Sequence, residues 1–483
     1  MDKQAYLQEI MRVIENGRFK PDWESLSQYQ VPKWYENAKL GIFIHYGVYT
    51  VPEFGSEWYP RNMYIQGSRE FEYHVKTYGP HKEFGYKDFV PLFKAERFNP
   101  TEWAELFKNT GARYVVPVAE HHDGFQMYQS DLSHWNAYEM GPKRNIIVDL
   151  KTEVEKQGLV FGASSHRAEH WFFLGHGKEF DSDIKDPIPY GHLYWPSMPE
   201  PNHFDLYSPS PSKEYLEDWL LRCCELVDKY QPKIVYFDWW IIHSAFKPYL
   251  KLFAAYYYNR ADEWGTEVVI NYKHDAFAFN TAVVDIERGQ FAEAKPFVWQ
   301  TDTSVARNSW SYTKNNNYKS STEILCDFVD IVSKNGRLLL NIGPKADGSI
   351  PDEDRRILED IGSWMKVNGE AIHDTKPWKV FGEGPTLIKE GQFTDYEQKH
   401  FTSQDIRFTV KGNSLYVFVL KYPEDGNVTV KSLGSKHFLT VIKDISVLGF
   451  DEKPTWQLTS DALVLNTKTV KSDKPVVFKL QLE

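Results

Sequence analysis

Two acidic residues follow apolar runs of the kind that form buried strands. Asp238 comes directly after the run at residues 234–237, and Glu287 follows the run at residues 282–286. A carboxylate in such a place is costly to bury unless it is paired or used. Two carboxyl groups facing one cavity can hydrolyse a glycoside, one as nucleophile or base and one as proton donor to the leaving oxygen. The structural alternative for each is a helix cap or an ion pair, for example Glu287 with Arg288.

Histidines stand near the ends of other apolar runs and could bind a substrate or a metal. His45 ends one run, and His121 and His122 follow another. His166 and His170 are spaced i,i+4, which could place both imidazoles on one helix face as metal ligands. The His-Glu-x-x-His and His-x-His patterns of metallohydrolases are absent here. A metal-dependent barrel hydrolase built on His121, His122, His166 and His170 is therefore the alternative, not the first hypothesis.

These polar residues lie where eight short apolar runs end. The runs are 40–44, 114–119, 159–163, 234–237, 267–270, 282–286, 297–299 and 337–340. Segments of helical period separate several of them: 101–109, 147–157, 212–230, 246–264 and 321–334. Strands that alternate with helices favour a parallel sheet, and eight favour a (β/α)8 TIM-like barrel with its active site at the carboxyl ends of the strands. The stretches after the fifth and sixth runs are too irregular for full helices, so we expect a distorted α/β barrel.

The pattern changes after a last predicted helix at residues 352–368. Short alternating runs follow, separated by Gly, Asn and Asp. They are 406–410, 414–420, 427–430, 438–442, 456–458 and 476–482. We expect a catalytic barrel at residues 1–380 and a C-terminal β-sandwich at residues 381–483.

Composition narrows the class of partner. The 483-residue chain has 56 Lys and Arg against 67 Asp and Glu, a net charge of −11, which argues against nucleic acid and anionic membranes. Aromatic residues make up 16%, enough for stacking on sugar rings as well as for the core. No run of 18 apolar residues occurs. We expect a soluble protein, cytoplasmic as the sequence stands, or periplasmic or secreted if a signal peptide is removed ahead of it; an oligomer is possible.

Four segments together resemble glycoside hydrolase family 29, the α-L-fucosidases. They are KLGIFIHYG (39–47), EWYPRNMY (57–64), EHHDGF (120–125) and NGRLLLNIGP (335–344). Further matches lie at Trp364 and residues 368–372, so the resemblance covers about residues 30–375, the whole expected barrel. The following β module also fits the two-domain plan of the family.

The resemblance implies a retaining exo-α-L-fucosidase that hydrolyses terminal α-L-fucosyl linkages by double displacement through a covalent fucosyl-enzyme. It places the nucleophile at Asp238 and the acid/base at Glu287, with Glu293 as second choice and Glu57 able to assist. The implied substrate is a fucosylated oligosaccharide or glycoconjugate, and neither a metal nor an organic cofactor is implied.

The same resemblance suggests which side chains bind the sugar. The fucose-binding positions carry over to His45, Glu57, Trp58, His121 and His122, and the fourth-strand aromatic falls at Tyr236 or Trp239. Lys273 stands where many members have an arginine near the sugar; lysine keeps the charge but loses the bidentate fork. Trp310 is a further tryptophan on a predicted loop that could stack on a sugar.

Departures from the family pattern leave alternatives open. Tyr46 replaces a common Trp, and Asp238 is followed by the bulky pair Trp239-Trp240, so the linkage preference is not fixed. A non-catalytic carbohydrate-binding relative is one alternative to the first hypothesis. An exo-enzyme for a configurationally related sugar such as galactose is another.

Overall fold

The computed structural model describes residues 2–396 and 399–483 and contains a closed barrel of eight parallel strands in sequential order. All eight predicted strands are confirmed, with shifted bounds. They are β1 (Leu40–Ile44), β2 (Tyr114–Glu120), β3 (Val160–Ser165), β4 (Ile234–Phe237), β5 (Val269–Lys273), β6 (Val283–Glu287), β7 (Trp299–Ser304) and β8 (Gly336–Ile342). The barrel closes because β8 pairs with β1.

The outer layer consists of helices of very unequal length. They are α1 (Lys3–Asn16), α2 (Trp23–Leu26), α3 (Lys33–Asn37), α4 (Tyr59–Asn62), α5 (Arg69–Tyr78), α6 (Pro100–Asn109), α7 (Ile146–Lys156), α8 (His170–Phe173), α9 (Lys213–Tyr230), α10 (Lys247–Trp264), α11 (Ser321–Ser333) and α12 (Asp352–Asn368). The six helices predicted from periodicity are all present. No helix lies between β5 and β6 or between β6 and β7 among the described residues, which confirms the expected distortion.

The barrel interior is a packed core beneath the strand ends. Phe43, Tyr114 and Tyr236 are buried together there with branched side chains from other strands. Gly41 on β1 makes room for the Tyr114 ring, since a Cβ at residue 41 would lie 2.2 Å from a ring carbon. This filling closes the barrel from below, so a ligand can enter only at the loop side.

The C-terminal part packs two antiparallel sheets around a core of its own. One sheet has the order β13-β16-β11-β10-β9 and the other β12-β15-β14. Their strands are β9 (Lys376–Glu383), β10 (Ile406–Lys411), β11 (Ser414–Val419), β12 (Asn427–Val430), β13 (Ile442–Val447), β14 (Thr455–Leu458), β15 (Leu463–Asn466) and β16 (Val476–Leu482). The expected β-sandwich is confirmed, although β9 begins before residue 380, so the expected domain boundary falls inside a strand.

The predicted strand at residues 438–442 is wrong. Leu439 is 89% exposed, and the next strand, β13, begins only at Ile442. Cys223, Cys224 and Cys326 are buried free thiols. In the part of the chain that is described, no helix combines the length and the apolar character needed to cross a bilayer.

Candidate active site

A cavity of about 460 Å³ opens at the carboxyl ends of the barrel strands. Its volume is typical of a small-molecule site. Ten residues predicted to bind or cleave the fucoside line it: His45, Glu57, Trp58, His121, His122, Tyr236, Asp238, Trp239, Glu287 and Trp310. His166, named as a possible metal ligand, lines it as well. The separate apolar runs therefore bring their polar ends to one place.

Asp238 projects into this cavity directly after β4 and faces two imidazoles. Its Oδ2 lies 3.0 Å from Nδ1 of His166 and 3.4 Å from Nε2 of His122. Burial alone would raise the pKa of the Asp238 carboxyl, but His166 and His122 hold that pKa well below its ordinary value. Asp238 is therefore a carboxylate at neutral pH, and Oδ1 is the oxygen not faced by these imidazoles.

His122 is itself held between two acidic groups. Its Nδ1 lies 3.4 Å from Glu169 and 2.9 Å from the carbonyl of His166, while Nε2 faces Asp238. Burial favours the neutral imidazole, but Glu169 and then Asp238 raise the pKa of His122 above its ordinary value. The charged form of His122 thus helps to keep Asp238 ionised.

Glu287 ends β6 and lines the same cavity, but its pKa is shifted in the opposite direction from that of Asp238. Burial, together with the charge of Asp238 and against the opposing charge of Lys273, raises the pKa of Glu287 to about 8. Trp239 donates its indole N–H to Oε2 of Glu287, and Nζ of Lys273 lies 3.5 Å from that oxygen. Because both donors face Oε2, the other oxygen is the one left to carry the proton.

Lys273 is not among the residues that line the cavity; it is fully buried at the end of β5. Its Nζ lies 2.6 Å from Asp285 and 3.0 Å from Asp302. Burial would lower the pKa of Lys273, but these two acidic groups raise it above its ordinary value, so the ammonium stays charged. Lys273 is thus placed to support Glu287 and the cavity wall, in contrast to the expected direct contact with the sugar.

The other acidic residue proposed as acid/base lies elsewhere. Glu293 is exposed and does not line the cavity. Arg288, the expected structural partner of Glu287, instead places Nη1 3.6 Å from Asp395 and its guanidinium 4.5 Å from the centre of the Trp310 ring. Of the two glutamates proposed as acid/base, Glu287 is therefore the one that lines the cavity with Asp238.

Among the other predicted ligands of the sugar, His45 and Glu57 are held by hydrogen bonds, whereas one nitrogen of His121 has no partner. Nδ1 of His45 lies 2.7 Å from the side-chain oxygen of Asn341. Oε2 of Glu57 accepts the backbone N–H of Trp310 at 2.9 Å, which fixes the loop that carries this indole. Nδ1 of His121 is buried without a hydrogen-bond partner. Such a group is costly to leave unsatisfied, so it is suited to bind a ligand hydroxyl.

Two overlapping sets of donors are close enough to hold a metal ion. One is His45, His121 and His166, and the other is His122, His166 and Asp238; within each set the donor atoms lie within 4.8 Å of one another. His170 takes no part, because its two ring nitrogens lie 2.8 Å and 3.0 Å from backbone carbonyls. The i,i+4 pair that the sequence offered as an alternative, His166 with His170, is therefore not formed.

Comparison with known families follows the same division into two domains. Residues 6–370 match the family described as Alpha-L-fucosidase, and residues 398–483 match the Alpha-L-fucosidase C-terminal domain. The chain belongs to the α-L-fucosidase family.

Relatives of this α-L-fucosidase include vertebrate and bacterial enzymes. Human tissue alpha-L-fucosidase is 30% identical over 464 residues, which span 94% of this chain and 88% of that protein. Plasma alpha-L-fucosidase of Pongo abelii is 30% identical over 91% of this chain and 86% of its own length. The Thermotoga maritima alpha-fucosidase, solved with a mechanism-based inhibitor, is 30% identical with a TM-score of 0.76, covering 96% of this chain and 100% of that chain. This protein is thus a glycoside hydrolase, which sets aside the non-catalytic alternative.

Several residues in the fucosidase cavity were missed by the sequence analysis. Glu169 and Arg288 line it, as do Phe393 and Tyr396 from the connection between β9 and β10. Glu169 lies on the turn three residues after His166, a spacing that could have indicated it. Nothing local marks Phe393, because 105 residues separate its neighbour Gln392 from Glu287.

Proposed function

We propose that this α-L-fucosidase is a retaining exo-enzyme that releases terminal α-L-fucose from oligosaccharides or glycoconjugates by double displacement. One observation carries the proposal: Asp238 and Glu287 line one cavity, and their surroundings shift their pKa values in opposite directions. The pKa of Asp238 lies well below its ordinary value, and the pKa of Glu287 is about 8. A nucleophile must be ionised at neutral pH, and a proton donor must still hold its proton there.

In the first step, Oδ1 of Asp238 attacks the anomeric carbon of fucose. Glu287 gives its proton to the glycosidic oxygen as the bond from that oxygen to the anomeric carbon breaks. The aglycone leaves as an alcohol, and fucose stays joined to Asp238 as an ester. His166 and His122 keep Asp238 ionised until it attacks.

In the second step, Glu287 is a carboxylate and takes a proton from water. The oxygen of that water attacks the anomeric carbon, and the bond to Asp238 breaks. Two inversions give fucose with its original anomeric configuration. The aspartate is returned ionised and Glu287 protonated, so the cycle is balanced.

The rest of the cavity supports binding of a terminal sugar. We assign His45, Glu57, His121 and His122 to the ring hydroxyls. Trp58, Tyr236 and Trp310 supply aromatic faces for the apolar side of fucose. The packed barrel core lies beneath, which favours release of a chain-end residue over cleavage inside a chain.

The test is hydrolysis of an aryl α-L-fucoside followed by proton NMR. We expect the α anomer as first product and a rate at least ten times that on the matching galactoside. An initial β anomer would contradict the retaining mechanism, and a faster galactoside would contradict the sugar assignment. Asp238→Asn is the control for any contaminating activity.

The histidine donor sets keep a metal-dependent reaction testable as a second candidate. We expect dialysis against a chelator to leave the rate on aryl fucoside within about twofold of the untreated enzyme. Loss of activity that Zn²⁺ restores would favour the metal reaction instead. Elemental analysis of the purified protein checks the same point independently.

A further inference from the structure

Residues 392–395, in the connection between β9 and β10, are hydrogen-bonded to the end of β6. Phe393 donates its backbone N–H to the carbonyl of Glu287 at 2.8 Å. Thr394 and Asp395 donate theirs to the carbonyl of Arg288 at 2.7 Å and 2.9 Å. The side-chain oxygen of Gln392 accepts the backbone N–H of Glu287. A segment of the second domain is thus bonded to the residue that supplies the acid.

A buried polar network fixes this segment from below. Asp395 accepts hydrogen bonds from Lys319 and from Thr303 on β7. Both Asp395 and Lys319 are at least nine-tenths buried. Charge-assisted bonds in a buried place are strong, so the position of this segment is well defined.

Despite this support, the segment exposes two aromatic side chains at the cavity. Phe393 is 45% exposed and Tyr396 is 57% exposed, and both line the cavity. The Phe393 ring lies nearly parallel to that of Trp239, with the ring centres 5.9 Å apart and 19° between the planes. We call Trp239, Phe393 and Tyr396 the aromatic ledge. Single exposed aromatics are ordinary, but a group of three beside the proposed acid is typical of a ligand surface.

The location of the ledge indicates which part of a substrate meets it. Trp239 donates to Oε2 of Glu287, so the ledge adjoins the group that protonates the leaving oxygen. The first sugar of the aglycone is attached to that oxygen. Arg307, Asn308 and His203 also line the cavity and supply polar groups for sugar hydroxyls.

We propose that the aromatic ledge is a binding subsite for the first pyranose of the leaving group, contributed largely by the C-terminal domain. The apolar face of the pyranose packs on Phe393 and Trp239, as sugar rings do on aromatic side chains. The proposal rests on the proposed function, because it takes Glu287 as the proton donor. It makes the second domain a determinant of which fucosides are cleaved.

Three substrates separate binding of the aglycone sugar from proton donation and from cleavage of the fucosyl bond itself. α-L-Fucosyl fluoride needs neither a proton donor nor an aglycone sugar. Methyl α-L-fucoside needs the proton but offers no sugar. A fucosyl disaccharide, chosen as the linkage that the wild type cleaves fastest, needs both.

For Phe393→Ala we expect kcat/KM on the disaccharide to fall about three- to tenfold, the worth of one aromatic contact. The rates on the fluoride and the methyl fucoside should stay within twofold. Phe393→Tyr keeps the ring and should restore the disaccharide rate. Leu387→Ala is the matched control, since Leu387 lies in the same connection and is 93% exposed.

Two results would overturn the subsite. An equal loss on methyl fucoside would show that Phe393 acts only through Glu287, and an unchanged disaccharide rate would show that it binds no sugar. Failure of the wild type to cleave any fucosyl disaccharide while it cleaves the fluoride would also count against the ledge. Failure of the proposed function would give a different result from failure of the subsite. In that case Asp238→Gly would still hydrolyse α-L-fucosyl fluoride.

Discussion

Nδ1 of His166 lies 3.0 Å from Oδ2 of Asp238, which ties the third strand of the barrel to the fourth at the proposed reaction centre. His166 follows the end of β3, and its Nε2 lies 2.9 Å from the hydroxyl of Ser164. The ring is therefore fixed on both sides. This contact stabilises negative charge on Asp238, so the protonation state of Asp238 depends on a residue that follows the neighbouring strand.

Replacing this histidine should shift the acid side of the pH profile. In His166→Asn the pKa of Asp238 rises, because one of its two imidazole partners is lost. Asp238 then becomes protonated at a higher pH, and the acid limb of kcat/KM moves to higher pH. We expect kcat/KM at pH 7 to fall about tenfold or more, as for loss of a hydrogen bond to a charged group. Steady-state rates on an aryl fucoside from pH 3 to 7 measure the shift.

His192→Asn is the control for that experiment. His192 is partly buried, contacts Trp135 and does not line the cavity. Its replacement should leave the acid limb in place. If His166→Asn and His192→Asn give the same profile as the wild type, His166 does not set the ionisation of Asp238.

The alkaline side of the profile should report Glu287. Its pKa is about 8, and only the protonated form can donate to the leaving oxygen. We expect kcat/KM on 4-nitrophenyl α-L-fucoside to decline above about pH 8. Glu287→Gln cannot titrate, so its lower rate should show no such decline. A decline at the same pH in Glu287→Gln would assign the alkaline limb to another group.

The choice between two acids can be made by leaving group. Glu287→Ala should reduce kcat/KM on methyl α-L-fucoside about a hundredfold or more, since general acid catalysis contributes on this scale. Its effect on α-L-fucosyl fluoride should be within a few fold, because fluoride needs no proton. Glu293→Ala should match the wild type on both substrates. The opposite assignment would follow if Glu293→Ala showed the selective loss.

Lys273 should matter for stability as well as for rate. Lys273→Met removes the cation that pairs with the buried acidic groups of Asp285 and Asp302, and breaking a buried pair costs about 3–5 kcal/mol. We expect the melting temperature to fall by about 5 °C or more in a thermal-shift measurement. Lys453→Met is the control, because Lys453 pairs with Asp444 on the exposed surface and should change the melting temperature by less than about 1 °C. Equal shifts for the two variants would contradict the supporting role of Lys273.

Much of the barrel could be predicted because its strands are short apolar runs with polar ends. A buried parallel strand is apolar on both faces, and β1 and β2 are buried throughout. The C-terminal sheets gave weaker signals. β9 is an edge strand with no fully buried residue, so it does not form a clear apolar run, and the four-residue β15 was also not predicted.

The candidate site was predictable where residues follow strand ends and not where distant segments meet. Asp238 follows β4 and Glu287 ends β6, so the position of each in the sequence was enough to predict that it lies at the barrel opening. The function of Lys273 could not be predicted, because its three acidic neighbours come from two other strands. Phe393 belongs to a connection whose contact with the barrel depends on how the two domains pack, which no local pattern encodes.

The most direct test of the account is to trap the fucosyl-enzyme on Asp238. An α-L-fucosyl fluoride that also carries fluorine at C2 slows both steps, while its good leaving group keeps the first one fast enough for the ester to accumulate. We expect mass spectrometry of proteolytic peptides to find one fluorofucosyl group, on Asp238. A label on another residue, or no label from an enzyme that turns the reagent over, would contradict the assignment of Asp238 as the nucleophile.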